Sequence, residues 1–420
     1  KLKVARLLDE LGVSFIEGGW PGSNPKDIQF FQEAKKLKLK HAEVVPFGAT
    51  RRAKLPPNED PNLAALLETG AKTITIFGKS WDMHVERALG IPLDANVELV
   101  YDSIAFLRKN KRRVFFDVEH FFDGYKNNKK YALEVLRTAD KAGAEVLILC
   151  DTNGGSLPHE ISEIVEIARR TVKTPIGIHC HNDSDSAVAN SVAAVRAGAV
   201  HVQGTINGYG ERCGNANLCS IIPNLQIKLG YACIPPKNLP HLSEVAAHIG
   251  EIANVPPSAH QPYVGRSAFA HKGGVHVSAV MKHAATYEHM EPERVGNSRR
   301  VTISELSGVS NILFKAKEFG VDVKQDSPEI RRLLQKLKEM EHLGYQFEEG
   351  EASFELLVRE AVGEYKPRFE LEGFRVDTDM RPGQSLDVEA ALRLKVGEKH
   401  LHTVGSGDGP VNALDAALRK

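Results

Sequence analysis

From residue 1 to about 230, the apolar positions switch repeatedly between helical spacing and short β-branched runs, each run following a Gly or polar break. That switching predicts a βα repeat, with strands at 13–17, 41–45, 73–77, 113–119, 145–150, 176–179 and 200–205. Several runs follow a turn in which Gly ends the preceding helix, as in Lys141-Ala142-Gly143-Ala144 and Arg196-Ala197-Gly198-Ala199. The chain opens in an expected helix over 2–11, whose feeding strand would lie upstream of Lys1. Seven strands and that one make eight, the number that closes a (β/α)8 TIM barrel of the α/β class. An open doubly wound sheet would need a nucleotide-type Gly loop after its first strand. Glu17-Gly18-Gly19-Trp20-Pro21-Gly22 lacks the Gly-x-Gly-x-x-Gly spacing.

The pattern changes after the barrel. Strand signals stop near residue 235, and Ile234-Pro235-Pro236 and Val255-Pro256-Pro257 mark connections between short helices. A charged amphipathic helix is predicted over 328–343. Alternating patterns at 352–362, 368–377 and 386–396 predict an antiparallel sheet, and a last helix follows Gly405-Ser406-Gly407-Asp408-Gly409-Pro410. The expected organisation is a barrel over 1–234, helical accessory subdomains and a linker over 235–348, and an α+β unit over 349–420.

Composition narrows the function classes. The formal net charge is zero and basic residues are interspersed with acidic ones, which argues against nucleic-acid binding and favours a small-molecule ligand. No apolar run is long enough to span a bilayer and the first residues lack a signal-peptide core, so a cytoplasmic protein without membrane contact is expected. The five cysteines form no Cys-x-x-Cys pair, so reduced, mostly buried thiols are expected rather than disulfides or a thiolate zinc site.

Polar residues collect at the carboxyl ends of the expected strands: Glu17, Glu119, Asp151, Thr152, His179, His181 and Asn207. In a barrel that face carries the active site. His179 and His181, two residues apart on one strand, point the same way, so one ion can meet both rings. Such a pair on its own is a weak signal, since histidines are common in cores. It is strengthened by Asn182-Asp183 and by the Gly-rich loop Asn207-Gly208-Tyr209-Gly210-Glu211-Arg212-Cys213-Gly214-Asn215. Neutral imidazoles with amide or carboxylate oxygens suit zinc, manganese or magnesium, and leave positions open for a substrate. A metal so held can chelate a 2-oxo acid and polarise its carbonyl. Glu119 and the cluster Phe269-Ala270-His271-Lys272-Gly273-Gly274-Val275-His276 can supply proton transfers.

Together these motifs resemble the barrel metalloenzymes related to 2-isopropylmalate, homocitrate and citramalate synthases, over essentially the whole chain. The segment from Ser267 to His276, with Tyr287-Glu288-His289-Met290, resembles the synthases' accessory subdomain, which lyase and aldolase relatives are not expected to carry. Gly407-Asp408-Gly409-Pro410-Val411-Asn412-Ala413-Leu414 resembles the start of their amino-acid-sensing regulatory domain. Two segments, Ile16-Glu17-Gly18-Gly19-Trp20-Pro21-Gly22-Ser23-Asn24-Pro25-Lys26-Asp27 and Glu339-Met340-Glu341-His342-Leu343-Gly344-Tyr345-Gln346-Phe347-Glu348, look most like the citramalate branch.

That resemblance implies condensation of acetyl-CoA with pyruvate to (R)-citramalate and CoA, on the way to isoleucine. It also implies a homodimer with isoleucine or leucine as effector. Carried over by residue, His179, His181 and Asn215 match metal ligands, Thr152 matches a hydroxyl that holds the 2-oxo acid carboxylate, and Glu119 matches an acid near the acetyl group. His276 and Tyr287 match residues that reach the partner subunit's active site. The family's Arg-Asp-Gly-type segment, which supplies an Arg and an acidic ligand, is not found in the sequence and is expected upstream of Lys1. The tail resembles one regulatory repeat where two are usual. A synthase using another 2-oxo acid, a lyase, and a non-catalytic metal- and amino-acid-binding sensor remain as other readings.

Overall fold

The computed structural model describes all residues except 304–306, 325–326, 348–349, 381 and 384–385. The expected boundary at 348/349 and the end of the Glu339-to-Glu348 motif lie outside the described residues. By their internal contacts the described residues form two compact units: 1–270 with 288–300, and 271–287 with 301–420.

In the first unit seven strands form one sheet in sequence order: β1 (Phe15–Gly19), β2 (Glu43–Ala49), β3 (Thr73–Lys79), β4 (Arg113–Glu119), β5 (Val146–Asp151), β6 (Ile176–Cys180) and β7 (His201–Gln203). All neighbours are parallel. Strictly sequential parallel order is what repeated right-handed βα crossovers produce. The sheet curls: Gln203 on β7 hydrogen-bonds Glu17 on β1 and Asp117 on β4. Below them Phe15, Phe115 and His201, from the same three strands, meet with ring centroids 4.9–5.9 Å apart. This is the barrel architecture of the α/β class, with β1 and β7 as the sheet's terminal strands among the described residues.

The expected strands are the observed ones, displaced by a few residues at their ends. Helix ends follow from the backbone: Gly12, Gly143 and Gly198 all have left-handed φ, at 99°, 93° and 104°. At Gly12 a Cβ would come within 2.4 Å of the Pro235 ring, so the close approach needs glycine as well. Outside the strands, the helices Leu93–Lys109, Lys129–Ala142 and Pro158–Thr171 bury one face each, and Phe116, Phe121, Phe122, Leu136 and Ile161 lie wholly inside this layer.

In the second unit β8 (Glu370–Asp379), β9 (Asp387–Val396) and β10 (Lys399–Gly407) form an antiparallel sheet, covered by the helix Pro410–Leu418 through Ala413 and Ala417. The expected strand at 352–362 is instead the helix Glu351–Ala361. Its sequence fits both periods, since Phe354, Leu356 and Val358 alternate while Phe354, Leu357, Val358 and Ala361 form a helical stripe. Burial decides between them: Phe354 and Val358 pack among Ile312, Ile330, Leu333 and Leu337, whereas Leu356 is exposed. The helix Pro328–His342 agrees with expectation. All five cysteines are free; Cys150, Cys180 and Cys219 are buried, while Cys213 is exposed.

Candidate metal centre and active site

At the carboxyl end of β6, strand alternation sends the His179 and His181 side chains to one side of the sheet, with Cys180 buried between them. Their Nε2 atoms lie 3.2 Å apart. Beyond β7 the loop doubles back: Asn215 N–H donates to Gly208 O, Ala216 N–H to Cys180 O, and Asn182 N–H to Gly214 O. Those bonds set Asn215 directly opposite His181 in an isolated antiparallel bridge. Gly214 permits the reversal with φ 96°, where a Cβ would lie 2.1 Å from Gly208 O. His179, Asn215, Gln203, Glu17, Thr75 and Phe115 line one part of a cavity of 850 Å³ that extends from β1 across to β7 and is otherwise bounded mainly by apolar side chains, among them Val4, Leu8, Val195, Ile222 and Leu225.

The donor set fits a divalent ion. Asn215 Oδ1 is buried with no hydrogen-bond partner, an arrangement that a polar interior rarely leaves unfilled. Burial, reinforced by the neighbouring His181, drives the His179 imidazole down to about 4, and burial also lowers His181, so both rings are neutral ligands near pH 7. Among the described residues no group of three or more His, Cys, Asp or Glu side chains is placed to hold an ion; the set expected here is two histidines and an asparagine.

The floor of the site is acidic. Glu17 lines the cavity, where desolvation by the surrounding protein pushes its carboxyl up to about 7. Asp117 is driven well above the usual carboxylate range by burial and then by the Glu17 charge. Gln203 lies between them, donating to Glu17 Oε1 at 3.2 Å and Asp117 Oδ1 at 3.1 Å.

Thr152 and Glu119 sit on the same strand-end rim. Thr152 Oγ1 accepts from the His120 N–H at 2.9 Å, which leaves its own proton free to point elsewhere. His120 reaches this bond with φ 58°, a left-handed conformation that histidine tolerates better than most residues with a side chain. Lys79, the register partner of Glu119, forms an ion pair with it at 2.5 Å. Arg212 ties three loops together: it pairs with Asp183 through Nε and Nη2 at 2.7 and 2.8 Å and donates to Thr152 O at 2.8 Å. In the second unit His276 and Tyr287, both exposed, stack with ring centroids 4.1 Å apart. His271 there is buried.

Over residues 1–249 the sequence matches the HMGL-like family; residues 263–344 match the homocitrate synthase post-HMGL domain-like family and 349–420 the LeuA allosteric (dimerisation) domain. The chain belongs to the HMGL-like family, in its 2-oxo acid synthase branch. Relatives named (R)-citramalate synthase, from Geobacter sulfurreducens and Aquifex aeolicus, are 53% and 52% identical over 100% of this chain and 80% of theirs. A 2-isopropylmalate synthase from Methanocaldococcus jannaschii is 32% identical over 100% of this chain and 78% of its own. An HMG-CoA lyase from Bacillus subtilis has the same barrel fold, with TM-score 0.51 and 18% identity over 61% of this chain and 86% of that one. Members of this family are divalent-metal dependent.

Gln203, Asp117, Lys79 and the Arg212 clamp were not singled out from the sequence. Asp117 carried a usable signal, being two residues before Glu119 on one strand and hence on the same side. Gln203 carried none, since its partners are 86 and 186 residues away.

Proposed function

We propose that this chain condenses acetyl-CoA with pyruvate to give (R)-citramalate and CoA. Identity of 45–53% over 100% of this chain and 79–80% of relatives named (R)-citramalate synthase supports the choice of branch. The observation that carries the reading is the paired Nε2 atoms of His179 and His181 together with the unpartnered Asn215 Oδ1, which the returning loop sets opposite His181. His179, His181 and Asn215 would hold the divalent metal, whether zinc, manganese or magnesium, which when bound polarises the keto carbonyl. Thr152, its hydroxyl oxygen already accepting from His120, directs its proton to the pyruvate carboxylate. Glu119, with one oxygen held by Lys79, offers the other to the methyl proton of acetyl-CoA. His276 and Tyr287, acting in the partner subunit's site, orient the thioester for hydrolysis.

The organisation that goes with this reading is a catalytic barrel over 1–234, accessory subdomains over 235–348 and a regulatory region over 349–420. That region would respond to isoleucine or leucine in a homodimeric, cytoplasmic enzyme of isoleucine synthesis. No described helix is long and apolar enough to cross a membrane.

The test follows CoA release with pyruvate, 2-oxobutyrate, 2-oxoisovalerate and 2-oxoglutarate, in wild type and His181→Ala. Pyruvate is expected to give the highest kcat/KM, and His181→Ala to abolish turnover while the far-ultraviolet dichroism is unchanged. A preference for 2-oxoisovalerate would replace this reading with 2-isopropylmalate synthesis. Full activity in His181→Ala would remove the metal site.

A further inference from the structure

Gln203 is the register neighbour of His179, one strand over on β7. Its side-chain oxygen lies 2.7 Å from His179 Nδ1. Its nitrogen donates to both Glu17 Oε1 and Asp117 Oδ1, and two carboxyl oxygens on that side match the two protons of the NH2, which orients the amide oxygen towards the imidazole. An oxygen can only accept, so His179 must carry its proton on Nδ1 and leave Nε2 bare. The bare Nε2 faces His181 Nε2 at 3.2 Å, and a hydrogen bond there requires His181 to hold its proton on Nε2 and leave Nδ1 bare. Consistent with this, His181 Nδ1 has no hydrogen-bond partner.

We propose that Gln203 is a positioning residue that presets the His179 tautomer, making His179 the ready ligand of the pair and His181 the one that must relocate its proton when an ion arrives. The relocation balances within one ring: the proton would leave His181 Nε2 and be taken up on the vacant Nδ1, which would free Nε2 to serve as a ligand. Gln203 is thereby the link between the acidic floor and the metal centre. Loss of its amide removes the acceptor that holds His179 and the donor shared by Glu17 and Asp117 together. Partners of this kind typically contribute 10- to 100-fold in metal affinity.

This inference rests on the reading of His179 and His181 as ligands, and the test separates the two. Histidine-selective 15N labelling of the metal-free chain, with long-range 1H–15N correlation, reads the tautomers directly and needs no variant. His179 is expected protonated on Nδ1 and His181 on Nε2. In Gln203→Leu the His179 preference is expected to be lost and Mn2+ affinity, titrated by electron paramagnetic resonance, to fall about 10- to 100-fold. Gln203→Glu keeps an acceptor for Nδ1 and is expected to restore the His179 tautomer. An Nε2–H tautomer for His179 in wild type overturns the inference. So does wild-type Mn2+ affinity in Gln203→Leu when His181→Ala has lost it. If His179→Ala and His181→Ala both bind Mn2+ like wild type, the ligand reading itself falls.

Discussion

Replacing Arg212 by alanine separates the stability of the barrel from the geometry of its rim. Arg212 joins the loop that carries Asn215 to Asp183, just past His181, and to the carbonyl of Thr152. Its side chain is 46% exposed and that of Asp183 24%, so the ion pair is screened and contributes about 1 kcal/mol or less to folding. The bond to the Thr152 carbonyl adds about 1 kcal/mol. A loss under about 2 kcal/mol in a unit this large should lower Tm by only a few degrees. Function should suffer more, because the clamp holds the loops bearing Thr152, His181 and Asn215 more tightly than the backbone hydrogen bonds between them do alone. Misplacement by about 1 Å costs on the order of 100-fold in rate, equivalent to about 2.7 kcal/mol of barrier. The expected result is a modest Tm shift in calorimetry with kcat/KM for CoA release reduced 10- to 100-fold. Arg212→Lys, which keeps the charge but not the planar fork, should recover only part of the loss. A folded Arg212→Ala protein with kcat/KM within about threefold of wild type would refute the argument that the clamp sets the rim.

Two further outcomes follow from the barrel interior. Burial beside Phe15 and Phe115 drives His201 down to about 4, so the native state favours the neutral ring; its contribution is complete above about 6.5 and declines as the pH falls towards 4. His201→Phe should therefore flatten the loss of stability between pH 6.5 and 4 in urea unfolding, and an unchanged pH profile would contradict this. Gly214→Ala places a methyl 2.1 Å from the Gly208 carbonyl in a backbone with φ 96°. It should cost about 1–3 kcal/mol by urea unfolding and weaken Mn2+ binding, with wild-type affinity as the contrary result.

Much of the architecture was legible because periodicity is local. Each strand from β1 to β7 and the glycines at 143 and 198 could be read within a window of a dozen residues, and so could the shared direction of His179 and His181. At 351–361 the same reasoning named the wrong element, because the segment satisfies both periods and only packing against the helices Val309–Glu318 and Pro328–His342 selects one.

The sequence by itself determined the donor types, their spacing on a strand and the family to which they point. Tertiary structure decided which groups meet. Curling of the sheet brings Gln203 from β7 onto Glu17 of β1 and Asp117 of β4, and the returning loop sets Asn215 against His181. Those contacts depend on strand register and on the path of a chain between residues far apart in sequence. Local patterns of hydrophobic and polar residues fix which side of a strand a side chain takes, but they carry no record of what it will face.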